Sequence, residues 1–268
     1  MYWGTLRLAA RVFRPPAQLA GQIAGHVGFQ TVLFVHGWTG SQDANDVALA
    51  AQLAEDGFGT MTFDLGGHGL SAGNAEDFTA ADFLAQTVAA YDRLMNLVGV
   101  GQHTVSVCGT SLGAYLGVLL SVERPVSALS LRVPAHYPDD TFASVSVGAY
   151  ARSDLPLSWR ALPLAPNATR ALRALRQFRG PVQIIEAARD EVIPRATIVN
   201  YLNAATRTIR GTTPTHGSAT APATDHSPSH IVLTNASHVV YADPVSRAEA
   251  FTAVRQWIGA QQRDRGMI

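Results

Sequence analysis

The sequence predicts a single domain built on a mostly parallel β-sheet with helices on both faces. Two observations lead there. Short apolar runs alternate with longer segments of helical periodicity along most of the chain, which is the order a parallel sheet with crossover helices requires. The first such run, Thr31–Val35 (TVLFV), is uninterrupted and β-branched, as a strand covered on both sides must be. The length of 268 residues suits one large domain that hides roughly three-quarters of its extended-chain surface.

The elements follow in order. After TVLFV comes a predicted helix over 44–56, with Asp43 as cap and Gly57 as stop. Residues 59–63 form the next strand, and a glycine-rich turn runs from Asp64 to Ser71. Apolar residues at helical spacing (Phe83, Val88, Tyr91, Leu94, Met95, Val98) predict a helix over 79–98 that stops at Gly99. A strand over 103–108, a helix over 112–121 and a strand over 126–133 come next. The pattern then breaks from 134 to about 178, where five prolines, several aromatics and one helix candidate (168–178) predict a cap or lid inserted above the sheet. Regularity returns with a strand at 181–187 and a helix at 196–205. A stretch at about 206–229, rich in Thr, Ser, Pro, Ala and His, reads as an irregular surface loop. A strand at 231–235 and a helix at 248–260 close the chain. No internal repeat is visible.

Composition narrows the function. With 47% hydrophobic and 15% charged residues the chain is too apolar to be disordered. Its 20 cationic residues, all arginine, balance 20 acidic ones, which argues against nucleic acid as a partner. Without lysine, every lysine-based mechanism is excluded. The one cysteine, Cys108, rules out an internal disulfide and a cysteine-built zinc site; its predicted place is a buried strand with no catalytic role. The apolar runs are too short for stable membrane insertion, and Arg7, Arg11 and Arg14 interrupt any signal-peptide core. The expected compartment is the cytoplasm.

The most informative segment is Gly109-Thr-Ser-Leu-Gly113, a G-x-S-x-G pentapeptide between a predicted strand and a predicted helix. Small residues flank the serine because a nucleophile there sits on a tight turn, at a helix N-terminus whose partial positive charge suits an oxyanion. A serine hydroxyl also needs a base and an acid, placed later in the chain just past other strand ends. Asp190 lies three residues beyond PVQIIEA, and His238 three beyond IVLTN. Glu186 falls within its strand, Glu191 reads as a loop charge, and Asp225, His226 and His230 precede the last strand. Those last three have a crude metal-ligand spacing without a framing structure, so no metal and no cofactor is expected.

His36-Gly-Trp-Thr-Gly40 ends the first central strand, and its use is expected to be backbone: the Trp38 amide paired with that of Leu112 would make a two-donor oxyanion site. His36 is read as structural, and Gly66–Gly69 as a structural turn that lacks the spacing of a phosphate loop.

His36-Gly37, Asp64 to Ser71, the Ser111 turn, Asp190 with Pro194, and His238 with Asp243-Pro244 together resemble, in order, the α/β-hydrolase superfamily. The likeness is strongest to its esterase and lipase-like branch with HGxxG and DxxGHGxS motifs. It departs from that branch at Thr110, where histidine is frequent, in its short lid, and in the long loop after residue 206. The resemblance implies a Ser111–His238–Asp190 triad with Trp38 and Leu112 as oxyanion donors, acting on a small-molecule acyl substrate.

A carboxylic ester of small to medium acyl chain, aromatic esters included, fits best. An amide, thioester or carbon–carbon bond cleaved by the same triad, and a non-catalytic binding protein on this fold, are the alternatives. Tyr137, Phe142, Tyr150 and Trp159 either line the pocket or close the lid's own core. Trp38, Tyr115 and Tyr241 are wall candidates, with Tyr137 and Trp159. Arg132, Arg152 and Arg160 are read as holders of a carboxylate or phosphate, or as solvated charges.

Overall fold

The computed structural model describes all residues except 18–29, 43, 99–104, 154, 210–223 and 264–268. The expectations placed on Asp43, Gly99, His103 and most of the 206–229 loop lie outside the described residues.

The chain opens with a small hairpin, β1 (Tyr2–Trp3) against β2 (Leu6–Arg7), and an edge strand, β3 (Ala10–Phe13). Then follow β4 (Thr31–Val35), α1 (Ala44–Glu55), β5 (Gly59–Phe63), α2 (Ala80–Val98), β6 (Val105–Thr110), α3 (Leu112–Glu123) and β7 (Val126–Arg132). Two six-residue helices, α4 (Val147–Arg152) and α5 (Leu155–Arg160), precede α6 (Arg170–Gln177). β8 (Val182–Ala187), α7 (Arg195–Ala205), β9 (Arg207–Ile209), β10 (Thr224–His226), β11 (Ser229–Leu233) and α8 (Pro244–Arg263) complete the chain.

Among the described residues seven strands form one sheet in the order β11-β8-β7-β6-β4-β5-β3, parallel except for β3, which pairs antiparallel with β5. The amino-terminal segment therefore both begins the sheet, as an edge, and caps it with a hairpin. Alternation along the strands sorts the core into two layers. Leu33, Val35, Met61, Val107, Leu131 and Ile184 face α2, α3, α6 and α7. Val32, Phe34, Cys108 and Ile185 face α1 and α8, where Leu49, Leu53, Val254 and Ile258 complete the second layer. Helix α3 is buried from Leu112 through Leu120, because it lies beneath α2 and α6 against the sheet.

Three sequence expectations are corrected here. The last strand runs Ser229–Leu233, two residues earlier than expected, so His230 lies within it and His238 five residues past its end. Polar residues are tolerated at this edge because the His230 Nε2 bonds the Glu186 carboxylate on neighbouring β8 at 2.9 Å. The 206–229 stretch is not wholly irregular, since β9 and β10 pair at its base. Finally, α6 is not part of a lid: Ala171, Leu172, Ala174 and Leu175 bury its apolar face against α3 and α7, within the helical layer. Among the described residues no helix is long and apolar enough to cross a membrane.

Candidate active site

Ser111 sits where β6 turns into α3, with φ 52° and ψ −113°, a conformation that costs a non-glycine residue on the order of 1–3 kcal/mol. Neighbouring backbone fixes it there. The Ser111 N–H donates to the Arg132 carbonyl (2.9 Å), and its own carbonyl accepts from Ala114, Tyr115 and Ala135. The flanking glycines are required by close approach: a Cβ on Gly113 would run into the Val35 carbonyl, and one on Gly109 into the Gly113 carbonyl. A Cβ on Gly37 would lie 3.1 Å from that of Ser111. The turn is thus pressed against the end of β4.

The structure brings together three residues from three strand ends. His238 Nε2 lies 3.2 Å from the Ser111 Oγ, and its Nδ1 lies 3.0 and 2.9 Å from the two Asp190 oxygens. An ionised carboxylate only accepts, so Nδ1 carries the proton and Nε2 is left to accept from the serine. Asp190 is anchored in turn, its Oδ1 accepting from Val192 N–H (2.9 Å) and Ile193 N–H (2.8 Å). The Asp190 and His238 side chains are 5% and 18% exposed, so water is largely kept from the pair while the serine end opens outward.

That opening is a cavity of about 460 Å³. Trp38 and Thr39 form one wall; Tyr137 and the α4–α5 segment, including Leu157 and Arg160, form the roof; Glu191, Val192 and His238 close the far side. Leu112 is the first residue of α3, a position whose N–H has no intrahelical acceptor. Trp38 follows Gly37 on the other flank of Ser111.

Around this centre the His36 and Asp64 motifs act as braces. The His36 Nδ1–H donates to the Gly37 carbonyl (2.8 Å) while Nε2 accepts from the Leu65 N–H (2.9 Å). Burial lowers its pKa to about 4, so the ring stays neutral. Asp64 accepts from the Gln42 backbone and side chain and from the Leu70 N–H, tying the glycine-rich turn to the loop after β4.

Other predicted wall residues lie elsewhere. Tyr115 is fully buried behind Tyr137, their ring centres 5.0 Å apart. Trp159 stacks on His136 at 5.1 Å and 8°. Tyr241, though close to His238 in sequence, turns to the opposite core layer, against Phe251 and beneath the Arg132 guanidinium. Of the lid aromatics, Tyr150 packs on Tyr137, and Phe142 lies under Arg170. Arg132 is neither solvated nor a ligand holder: it is buried and paired with Asp46 at 2.8 Å. Arg152 pairs with Glu76 at the surface. Glu186 is held by Arg195 and His230, away from His238. Glu191, expected as a loop charge, is exposed but lines the cavity. The contributions of Ala151, Ser153, Pro156 and Leu157 had no sequence signal, because short helices over a site are oriented only by tertiary packing.

Comparison with known proteins agrees with this architecture. The alpha/beta hydrolase family matches residues 32–264. The chain belongs to that family. Two uncharacterized proteins of Mycobacterium tuberculosis are each 32% identical to it over 169 residues, 61% of this chain. The chain's match spans about half, 54%, of the length of those curated relatives. Among solved structures, the ferulic acid-bound Est1E of Butyrivibrio proteoclasticus superposes with a TM-score of 0.64 at 16% identity, covering 96% of each chain. A monoacylglycerol lipase of Paleococcus ferrophilus gives 0.62 at 15% identity, covering 95% of this chain and 99% of its own. This alpha/beta hydrolase therefore shares its fold across nearly its whole length with proteins of very different sequence.

Proposed function

We propose that this alpha/beta hydrolase is a serine esterase that cleaves carboxylic esters of small to medium acyl chain through an acyl-enzyme. The observation that carries the proposal is the continuous hydrogen-bonded line from Ser111 Oγ through His238 to Asp190, ending in a cavity large enough for a small molecule.

In the first step the Ser111 oxygen attacks the substrate carbonyl carbon while His238 Nε2 takes its proton. Asp190 keeps the imidazole in the tautomer that exposes Nε2 and stabilises the cation that forms. The developing oxyanion lies at the amino end of α3, where the Leu112 N–H and, from the other side, the Trp38 N–H donate to it. The imidazolium then protonates the departing alcohol. A water, deprotonated by His238, attacks the acyl-serine; the acid leaves, and the proton returns to Ser111. No step asks for a group beyond these residues and water.

Hydrolysis of 4-nitrophenyl esters of increasing acyl length, wild type against Ser111→Ala, tests this directly. Turnover abolished by the substitution is expected, with an optimum at short to medium chains set by the cavity. Comparable turnover in the variant would refute the serine mechanism.

A further inference from the structure

The roof of the cavity carries a charge that the proposed ester chemistry does not use. Arg160, at the end of α5, is only 7% exposed yet lines the same space as Ser111 and His238. Its Nε donates to the His136 carbonyl (3.3 Å) and its guanidinium lies 5.3 Å above the Tyr137 ring. Both contacts are to neutral groups. Among the described residues no carboxylate pairs with Arg160, whereas Arg124, Arg132, Arg152, Arg170, Arg173, Arg195 and Arg255 all have one. A guanidinium withdrawn from water without a counter-charge is costly, and the cost is recovered when an anion enters beside it.

The surroundings favour an anion as well. Tyr150 packs on Tyr137, and its buried hydroxyl makes no hydrogen bond to a described residue, although it lies close enough to Arg160 to feel its charge. Burial raises its pKa to about 12, so it remains a donor. Among the described residues the one carboxylate on the cavity wall, Glu191, is exposed, and solvent screens it more than it screens Arg160.

We infer that Arg160, with the Tyr137–Tyr150 pair behind it, forms an anion subsite that selects esters whose acyl chain ends in a carboxylate. The subsite rests on the esterase reading, which supplies the bond that is cleaved. With Nε directed to the His136 carbonyl and the Tyr137 hydroxyl also in contact with the guanidinium, Arg160 keeps further terminal N–H donors for the carboxylate oxygens. Lysine would supply the charge without the planar set of donors.

The test compares 4-nitrophenyl hemiglutarate with neutral 4-nitrophenyl pentanoate, each over its own spontaneous background, in wild type, Arg160→Lys and Arg160→Gln. The reading is the ratio of the two kcat/KM values within each protein, so a general loss of activity cancels. Wild type is expected to favour the acidic ester by about tenfold or more. Lys should keep part of that preference and Gln should abolish it, mainly through KM. An unchanged ratio in the Gln variant, or a wild type that prefers the neutral ester, would overturn the subsite. Glutarate binding is measured in parallel by calorimetry on wild type, against glutaramide, so the result does not depend on either variant folding. Glutarate bound in preference to its amide, with neither ester turned over, would keep the subsite and sink the esterase reading. Turnover of the neutral ester with no preference for glutarate would do the reverse.

Discussion

Asp190→Asn separates the chemistry of this site from its architecture. In the wild type the two carboxylate oxygens have different duties. Oδ1 holds the loop by accepting from Val192 and Ile193 and also lies 3.0 Å from His238 Nδ1, whereas Oδ2 faces Nδ1 alone, at 2.9 Å. Asparagine keeps Oδ1 on the loop amides and places its NH₂ where Oδ2 stood. Oδ1 already accepts from two amides and the new NH₂ opposes the Nδ1–H at the shorter contact, so the balance shifts to the tautomer with its proton on Nε2, and Ser111 loses its acceptor. A tautomer error of this kind costs ~10⁴ in kcat, or ~5.4 kcal/mol at ~1.36 kcal/mol per decade. Stability should hardly change, because the loop bonds survive: Tm is expected within a few degrees of wild type, while 4-nitrophenyl ester turnover falls ~10⁴-fold. An Asn variant active within about tenfold of wild type would show that Asp190 does not set the tautomer.

Further predictions concern the scaffold. Gly113→Ala drives a Cβ into the Val35 carbonyl, so the variant should lose activity and several kcal/mol of stability, measured by urea unfolding; a fold as stable as wild type would contradict the close approach. Asp46→Ala leaves fully buried Arg132 without its carboxylate and should cost ~3–5 kcal/mol, much of it recovered when Arg132→Met is added. Burial lowers the pKa of His36 to about 4 and of His136 to about 3, from 6.5. Their neutral forms stabilise the fold fully above pH 6.5, and that stability is lost as pH falls towards 4 and 3, at up to ~1.4 kcal/mol per pH unit for each. Urea midpoints between pH 7 and 4.5 should show the slope, to which buried His68, also shifted downward by burial, adds, and His136→Gln should reduce it; a flat profile would contradict the buried neutral state.

Much of the architecture is legible in the sequence because it is enforced locally. A strand covered on both faces has to read as TVLFV or VQIIEA, and the glycines at 109 and 113 mark a backbone contact no other residue permits. The places of Asp190 and His238 follow from the same logic, since residues just past parallel strand ends converge on one rim. What stays hidden is settled between elements distant in the chain. Tyr241 lies three residues from His238, yet the chain turns its ring towards Arg132 in the opposite layer. Arg132 looks like any surface arginine until α1 brings Asp46 to it. The last strand is misplaced by two residues because His230 is polar, and only its pairing with Glu186 makes it a strand residue. The roof is the least legible part, since two six-residue helices carry too little periodicity to show which side of Arg160 faces the cavity.

The most direct test of the central claim is covalent. Native protein is treated with a fluorophosphonate, digested, and mapped by mass spectrometry, with His238→Ala alongside. The account predicts one adduct, on Ser111, formed rapidly by the wild type and slowed by orders of magnitude in the variant. Folded wild type that stays unlabelled at Ser111, or a variant that labels as fast, would contradict it.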